Sequence, residues 1–238
     1  MKNLRHIFAS IWVRAKKAKA AFMGLDQDQG QTTYSQFGED IISFIFLERK
    51  TSGFYVDIGA HDPFRKSNTA MLNQIGWTGI NVEPDPVGFQ RFEKHRPNDI
   101  NLNIAVHNEE SEVTLYRFRR GLSNTVLENR AKGIAKNKKA LPSHIVPAMS
   151  MNAIMDAYLP KGQPIDFLNV DIEGYDQTAL EAFDFDKYRP KLCCIECYRF
   201  DFLDPQAHPL VNLMISNDYG IVSINKMSFL FLDNRNRD

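Results

Sequence analysis

Acidic side chains recur where short apolar segments of the sequence end. Asp57 lies near the end of Phe54–Ile58, just before a turn at Gly59, and further acids follow comparable segments at Glu83, Asp171 and Glu196. Carboxylates that converge on one surface repel one another unless a cation binds there. A carboxylate can also accept a proton, orient a hydroxyl or hold a hard metal ion. These acids are therefore the first candidates for a binding or catalytic site.

The segments that carry these acids are predicted strands of a mostly parallel α/β sheet. From residue 34 onward, strands alternate with helices, which is typical of that fold class. The predicted strands are Phe54–Ile58, Gly79–Val82, Ile100–Val106, Val113–Phe118, Ile165–Val170, Leu192–Ile195, Gly220–Ile224 and Ser228–Leu232. The predicted helices are Ile41–Leu47, Thr69–Ile75, Phe89–Lys94, Ser150–Tyr158, Tyr175–Phe183 and His208–Asn217. The last two strands should form an antiparallel hairpin. Because ligands bind beyond the carboxyl ends of strands in such sheets, the acids should meet at one edge.

The turn at Gly59 indicates the kind of ligand that this edge binds. Glycine permits a tight turn and a close backbone approach. Residues 59–64 read Gly-Ala-His-Asp-Pro-Phe and lack the later glycines of the pyrophosphate-binding fingerprint. Glu83, at the end of the second strand, can still accept the hydroxyls of a ribose. A nucleoside without a pyrophosphate, such as S-adenosylmethionine, therefore fits better than NAD, and Asp57 would offset its cationic amine. An NAD-dependent oxidoreductase is the less favoured alternative.

Five motifs in order resemble the FkbM-type S-adenosylmethionine-dependent methyltransferases. They are Tyr34-Ser-Gln-Phe-Gly-Glu-Asp-Ile41, Phe54-Tyr-Val-Asp-Ile-Gly-Ala60, Ser67-Asn-Thr69, Gly76-Trp-Thr-Gly-Ile-Asn-Val-Glu-Pro84 and Leu168-Asn-Val-Asp-Ile-Glu-Gly174. The resemblance covers residues 34–200. It implies a class I methyltransferase fold, Rossmann-like, with a mostly parallel seven-stranded sheet and an antiparallel last strand. It also implies O-methyl transfer to a hydroxyl of a sugar, glycan or related natural product.

The resemblance implies cofactor contacts around the first three predicted strands and directly after the strand Ile165–Val170. The residues concerned are Gln36, Asp57, Gly59, Ala60, His61, Glu83, Pro84, Asn103, Ala105 and Asp171. Glu83 is the ribose-binding acid, and Ala105 would offer backbone atoms on the adenine side. Gln36 and Glu39 belong to a segment that folds over the cofactor. His61 and Asp62 stand where related enzymes often carry Asn and Gly.

The catalytic candidates are Asp171, Glu173 and Glu196. Asp171 would face the transferred methyl and act as a base or orient the acceptor hydroxyl. In a second scheme, Asp171 and Glu196 share a magnesium-like ion that acidifies the hydroxyl. Cys197 follows Glu196, where metal-dependent sugar methyltransferases of similar fold often have another acid. A structural alternative for Glu196 is a buried ion pair with Arg199 or a backbone cap.

The acceptor is open at this stage. A sugar or glycan is the leading prediction, and a non-sugar acceptor, such as a polyketide or a protein, is the alternative. A non-catalytic module that keeps the cofactor fold as a scaffold is a third reading, although Asp57, Glu83 and Asp171 are all present.

The formal net charge of zero, from 29 basic and 29 acidic residues, discourages a nucleic-acid-binding function. This neutrality is a cancellation between segments. Residues 1–25 hold six basic residues and no acid, and residues 117–147 hold eight basic residues against Glu128 alone, which leaves 15 basic and 28 acidic residues elsewhere. An anionic partner is therefore expected at one of the two basic segments rather than at the acidic edge of the sheet.

We place the predicted catalytic domain at residues 34–238, after a helix and linker at residues 1–33. One basic segment therefore precedes this domain, and the other lies within it. Residues 2–22 predict an amphipathic helix that packs on the domain, on a partner subunit or on an anionic membrane surface. Its apolar face is Leu4, Ile7, Phe8, Ile11, Trp12 and Ala15. Residues 117–147 lack a clear period and predict a basic lid or substrate loop for an anionic acceptor, or else a solvated surface loop. His144 in this segment is a candidate base or a structural residue.

Three cysteines, Cys193, Cys194 and Cys197, lie close together in one apolar segment. We expect buried thiols in a strand and a reducing, cytoplasmic compartment, with membrane-peripheral attachment through residues 2–22 as a variant. Cys194 and Cys197 have the spacing of half a zinc site, but no second pair stands at ligand spacing. No apolar run approaches the roughly 20 residues of a membrane span.

Overall fold

Residues 32–119 and 121–236 are described by the computed structural model of this chain. The predicted helix over residues 2–22 and the side chain of Arg120 lie outside these residues. The strands are β1 Phe54–Ile58, β2 Thr78–Val82, β3 Ile100–Leu102, β4 Ala105–Val106, β5 Glu112–Phe118, β6 Ala140–Met149, β7 Phe167–Val170, β8 Leu192–Glu196, β9 Tyr219–Asn225 and β10 Ser228–Asp233. The α-helices are α1 Glu39–Phe46, α2 Ala70–Ile75, α3 Pro86–His95, α4 Glu128–Ala135, α5 Met151–Tyr158, α6 Asp176–Glu181, α7 Phe185–Tyr188 and α8 Pro209–Ser216.

A seven-stranded sheet in the order β3-β2-β1-β7-β8-β10-β9 forms the centre of the molecule. Strands β3, β2, β1, β7 and β8 are parallel, and β10 runs antiparallel to both β8 and β9. Every residue of β1, β7 and β8 is buried, as expected where helices cover both faces of a parallel sheet. The predicted fold class, with its antiparallel closing hairpin, is confirmed.

The strand order reverses between β1 and β7, which are neighbours in the sheet although residues 59–166 separate them in the chain. Such a switch point leaves a crevice at the carboxyl ends of the two strands. A buried arginine shapes one wall of it. Arg96, 2% exposed, donates to the carbonyl oxygen of Pro63 at 2.5 Å, to Ser67 Oγ at 3.1 Å and to Thr69 Oγ1 at 2.9 Å. It thereby fixes the loop that leads from β1 to α2.

The third strand is shorter than predicted. Ile100–Val106 was expected to be one strand, but β3 ends at Leu102, and β4 pairs instead with Ala148 and Met149 of β6 in a second, three-stranded sheet of order β4-β6-β5. The Asn103 side chain explains the break, because its Nδ2 donates to the backbone carbonyl oxygens of Glu83 at 2.9 Å and Pro84 at 3.0 Å. These bonds turn the chain away from β2.

The strand predicted at Val113–Phe118 is confirmed as β5, but the prediction that the chain after it, residues 119–147, is irregular is wrong. This stretch contains helix α4 and most of the ten-residue strand β6, which pairs antiparallel with β5. Residues 140–145 are all exposed, so this half of β6 shows no alternation of apolar and polar residues, the signal by which a strand is recognised in a sequence.

The cysteine prediction is confirmed, since all three thiols are buried and free. No helix within the described ranges combines the length and the apolar character needed to cross a bilayer.

Candidate active site

A cleft opens at the carboxyl ends of β1, β2, β7 and β8. It encloses about 1080 Å³ of empty space, including open solvent at its mouth. The structure brings nearly all predicted site residues to its wall, namely Gln36, Asp57, Gly59, Ala60, His61, Glu83, Pro84, Ala105, Asp171, Glu173 and Glu196. Asn103 instead lies behind the wall, bonded to the backbone after β2.

Gly59 makes the turn after β1 with a φ of +85°. A Cβ atom at this position would lie 1.9 Å from the carbonyl oxygen of Asp171, a distance no side chain tolerates. The amides of Gly59 and Ala60 both donate to the carbonyl oxygen of Val82 at 3.0 Å. The turn is therefore pressed between the ends of β2 and β7, and only glycine fits there.

Asp57 lies at the base of the cleft, and its carboxylate is held from two sides. Thr69 Oγ1 donates to one oxygen at 2.6 Å and Asn169 Nδ2 to the other at 2.9 Å. Burial raises the pKa of Asp57, and these two hydrogen bonds counteract that rise. The carboxylate is consequently fixed in position below the turn at Gly59.

Glu83 lies at the end of β2, 6% exposed. Its Oε1 accepts the amide of Asp85 and its Oε2 accepts the amide of His61, both at 2.7 Å. Each oxygen keeps a second lone pair, so the carboxylate can still accept two ligand hydroxyls. Burial raises the pKa of Glu83 to about 7. The bond to His61 also holds that residue in the left-handed region, at a φ of +58°.

Three carboxyl groups form a cluster where β7 and β8 end. One oxygen of each of Asp171, Asp176 and Glu196 lies within 4.8 Å of the others. Asp171 is open to the cleft, but protein surrounds it on most sides. This enclosure raises the pKa of Asp171 well above its usual range, and the adjacent Glu196 carboxyl raises it further. Burial likewise raises the pKa of Glu196 to about 8 and that of Asp176 to about 6.

Hydrogen-bond partners are unevenly distributed among the three carboxyl groups of the cluster. Asp176 accepts the amides of Ile172 at 2.8 Å and Gly174 at 2.9 Å, whereas the buried Glu196 Oε2 has no partner among the described residues. Glu196 adjoins Asp171 and Tyr198, and the predicted alternative of an ion pair between Glu196 and Arg199 does not form among the described residues. Three carboxyl groups, one of which has an oxygen without a partner, fit a hard divalent cation. Sequence reasoning missed Asp176, because an acid at a helix start is usually a cap.

Glu173 lines the cleft next to this cluster, but its carboxylate is already engaged. It pairs with Arg130 of α4 and accepts the Tyr198 hydroxyl at 3.3 Å. The Arg130 guanidinium also stacks over the Tyr198 ring, 4.6 Å from its centroid. These contacts make Glu173 an anchor for α4, and its predicted catalytic role draws no support from them.

Residues 117–119 and 121–126, which we call the roof segment, cover the side of the cleft nearest Glu83. Asp85 anchors this segment by accepting from Arg117 at 3.0 and 3.1 Å and from Asn124 at 3.1 Å. A Cβ atom at Gly121 would lie 2.9 Å from Cε1 of His61, so the segment rests directly on the wall. His144 contacts Arg117 at the exposed surface and lies outside the cleft lining. No pattern in the sequence indicates the contacts of Asp85 with the roof segment.

The strand order, the glycine turn after the first strand and the acid at the end of the second together define the Rossmann-like class I methyltransferase architecture. Residues 57–221 match the family model described as the methyltransferase FkbM domain. Because this match spans more than half of the 238 residues, the chain belongs to the FkbM methyltransferase family, and the resemblance found in the sequence is confirmed. A comparison with curated proteins finds no significant match.

Proposed function

We propose that this protein is an S-adenosylmethionine-dependent O-methyltransferase that acts on a hydroxyl of a sugar or glycan. The observation that carries this proposal is the pair of carboxyl groups at Asp171 and Glu196, which face the cleft from adjacent strand ends. Membership of the FkbM family supports methyl transfer. The cofactor, the acceptor atom and the acceptor class are inferred from the residues of the cleft.

The cleft residues fit the cofactor at the end of β2. There Glu83 has two free acceptor positions for ribose hydroxyls. Bound S-adenosylmethionine supplies an electrophilic methyl group on a cationic sulfur. The acids of the cleft favour such a cation, since opposite charges attract strongly in a partly buried site.

Methyl transfer to a hydroxyl requires that a proton leave the acceptor as its oxygen bonds to the methyl carbon and the carbon–sulfur bond breaks. Asp171, open to the cleft at the end of β7, is the residue positioned to take that proton. Burial and the neighbouring Glu196 carboxyl raise the pKa of Asp171, and this raised basicity favours proton transfer.

A divalent cation is the second component that we propose for this cluster. Asp171 and Glu196 would hold it, with Asp176 as a third oxygen donor. A metal ion at this position would lower the pKa of an acceptor hydroxyl and relieve the repulsion among the acids. Activity that survives exhaustive chelation unchanged would remove this component and leave Asp171 as the base.

A sugar acceptor is supported by the polar groups in the wall of the cleft. Asn68 and Asn169 line it beside Glu39, and amides and carboxylates suit the neighbouring hydroxyls of a carbohydrate. The basic residues of α4 and of the turn between α4 and β6 would favour an acceptor that also carries a phosphate or carboxylate. Competing classes, such as a polyketide or protein hydroxyl, would be recognised through apolar or peptide contacts instead.

Calorimetry with S-adenosylmethionine, S-adenosylhomocysteine and NAD tests the cofactor assignment directly. We expect saturable binding of the first two and none of NAD, because the turn lacks pyrophosphate-binding glycines. Binding of NAD alone would refute the proposal.

A further inference from the structure

The walls of the cleft are strongly acidic. The acids that line it are Glu39, Asp57, Glu83, Asp171, Glu173 and Glu196. Among the described lining residues, Lys66 carries the only permanent positive charge. Burial lowers the pKa of His61, so the neutral imidazole is favoured. An anionic group that enters this cleft has Lys66 as its cationic partner.

The position of Lys66 is built into the loop between β1 and α2. Lys66 has a left-handed backbone, with a φ of +55°, a conformation that non-glycine residues rarely adopt. Its Nζ donates to Oε1 of Gln36 at 3.0 Å, and the amide of the next residue, Ser67, donates to the carbonyl oxygen of Tyr34 at 3.1 Å. The loop and the segment before α1 are thus joined at the cleft wall.

The charge of Lys66 is not offset by a carboxylate among the described residues, in contrast to the charges of Arg65 and Arg91. Arg65 and Arg91 both pair with the buried carboxylate of Asp62, which offsets their charge. Lys66 instead contacts the neutral amide of Gln36, a partner that leaves the ammonium charge uncompensated. Its other two N–H donors are available to an anion.

Lys66 also lies on the side of the cleft away from Glu83. Asn68, two residues further on, donates to Oδ1 of Asn169 in β7 at 2.8 Å and contacts the Cys194 thiol in β8 at 3.7 Å. Glu83 lies at the end of β2, on the opposite side of β1. A nucleoside whose ribose binds Glu83 therefore extends its 5′ substituent toward the loop that carries Lys66.

We propose that Lys66, held by Gln36, binds the carboxylate at the amino-acid end of S-adenosylmethionine. This inference rests on the proposed function. The acids of the cleft take the two cationic groups of that ligand, the sulfonium and the ammonium, and Lys66 takes its one anion. The ligand is thereby oriented with its carboxylate at the β1–α2 loop and its methyl group toward Asp171.

A pair of ligands tests this assignment. S-adenosylhomocysteine carries the amino-acid end, and 5′-methylthioadenosine has the same nucleoside without it. By calorimetry at low salt, Lys66→Met should weaken S-adenosylhomocysteine about tenfold or more, the usual range for a lost charge-assisted hydrogen bond, and leave 5′-methylthioadenosine unchanged. Lys66→Arg should keep most of the affinity. Lys161→Met, an exposed lysine before β7 at the opposite edge of the sheet, is the matched control and should bind both ligands like the wild type.

Three results would overturn the inference. Equal weakening of both ligands would show a general effect on the cleft. Unchanged S-adenosylhomocysteine binding with a raised acceptor KM would assign Lys66 to an anionic acceptor. A wild-type protein that binds 5′-methylthioadenosine no more weakly than S-adenosylhomocysteine would show that the amino-acid end contributes nothing. By contrast, a wild-type protein that binds neither ligand would refute the proposed function itself.

Discussion

Nucleoside binding should depend on pH through Glu83, and the sign and size of this dependence follow from the structure. Its pKa is raised to about 7 by burial, and only the ionised carboxylate accepts hydrogen bonds at both oxygens. At pH 6, about one molecule in eleven carries ionised Glu83. Because apparent affinity scales with the fraction of competent molecules, nucleoside binding at pH 6 should be about tenfold weaker than at pH 8 and above.

The assay is calorimetry with 5′-methylthioadenosine between pH 5.5 and 8.5, since this ligand has no amino-acid group that titrates in the same range. Glu83→Gln is the comparison. Its amide presents an NH₂ group to the backbone amide of either His61 or Asp85, where the carboxylate now accepts, at a cost of about 1–3 kcal/mol. Its affinity should be lower by about tenfold to 100-fold, and flat across this pH range.

Stability provides an independent check of the same residue. The folded pKa of Glu83 lies above its ordinary value of 4.5, so the folded chain holds a proton that the unfolded chain releases between pH 4.5 and 7. The contribution of Glu83 to the free energy of unfolding is therefore full below pH 4.5 and is lost as the pH rises through about 7. In Glu83→Gln, this loss of unfolding free energy with rising pH should be absent. A variant that keeps the wild-type slope of ligand affinity against pH would refute the assignment of Glu83 as the ribose-binding acid.

Three further predictions concern the frame around the cleft. Gly59→Ala should lose at least about 2 kcal/mol of unfolding free energy in urea, because a Cβ atom would meet the Asp171 carbonyl oxygen at 1.9 Å and φ is positive; a loss below 1 kcal/mol would contradict the geometry of the turn. Arg96→Met should cost about 3–5 kcal/mol in the same measurement, since it removes a buried cation from several hydrogen bonds, and a near-neutral result would show that the loop after β1 is held by other contacts. Asp85→Ala should speed amide hydrogen exchange in the roof segment and leave β1 and β7 protected, because the carboxylate bonds to Arg117 and Asn124 are lost. Exchange equal to the wild type in the roof segment would contradict that anchoring role.

The central sheet could be predicted from the sequence because the strands of this sheet are buried on both faces. Runs such as Phe54–Ile58 and Leu192–Glu196 are apolar, end at turn residues and carry their acids at the carboxyl end. The same logic failed for β6, where residues 140–145 are exposed and carry no alternating pattern. Pairing with β5, a contact between distant parts of the chain, decides that strand, and local composition does not report it.

The candidate site was predictable in its main acids and not in their partners. Asp57, Glu83 and Asp171 stand at strand ends, and a parallel sheet necessarily brings such residues to one edge. The roles of Asp85 and Asp176 depend on side chains that meet across the fold, since Asp85 anchors the roof segment and Asp176 completes the carboxyl cluster. In the sequence alone, both residues are ordinary helix caps.

The central claim is methyl transfer with Asp171 at the reacting hydroxyl, and one turnover measurement tests it most directly. The protein is incubated with methyl-labelled S-adenosylmethionine and a panel of sugars, oligosaccharides and non-sugar alcohols, and S-adenosylhomocysteine and labelled product are quantified. We predict equal amounts of the two products with a carbohydrate acceptor, and a fall in rate of about 10²–10⁴-fold in Asp171→Asn with S-adenosylhomocysteine affinity retained. Tight cofactor binding without transfer to any acceptor, or undiminished turnover in Asp171→Asn, would contradict the account.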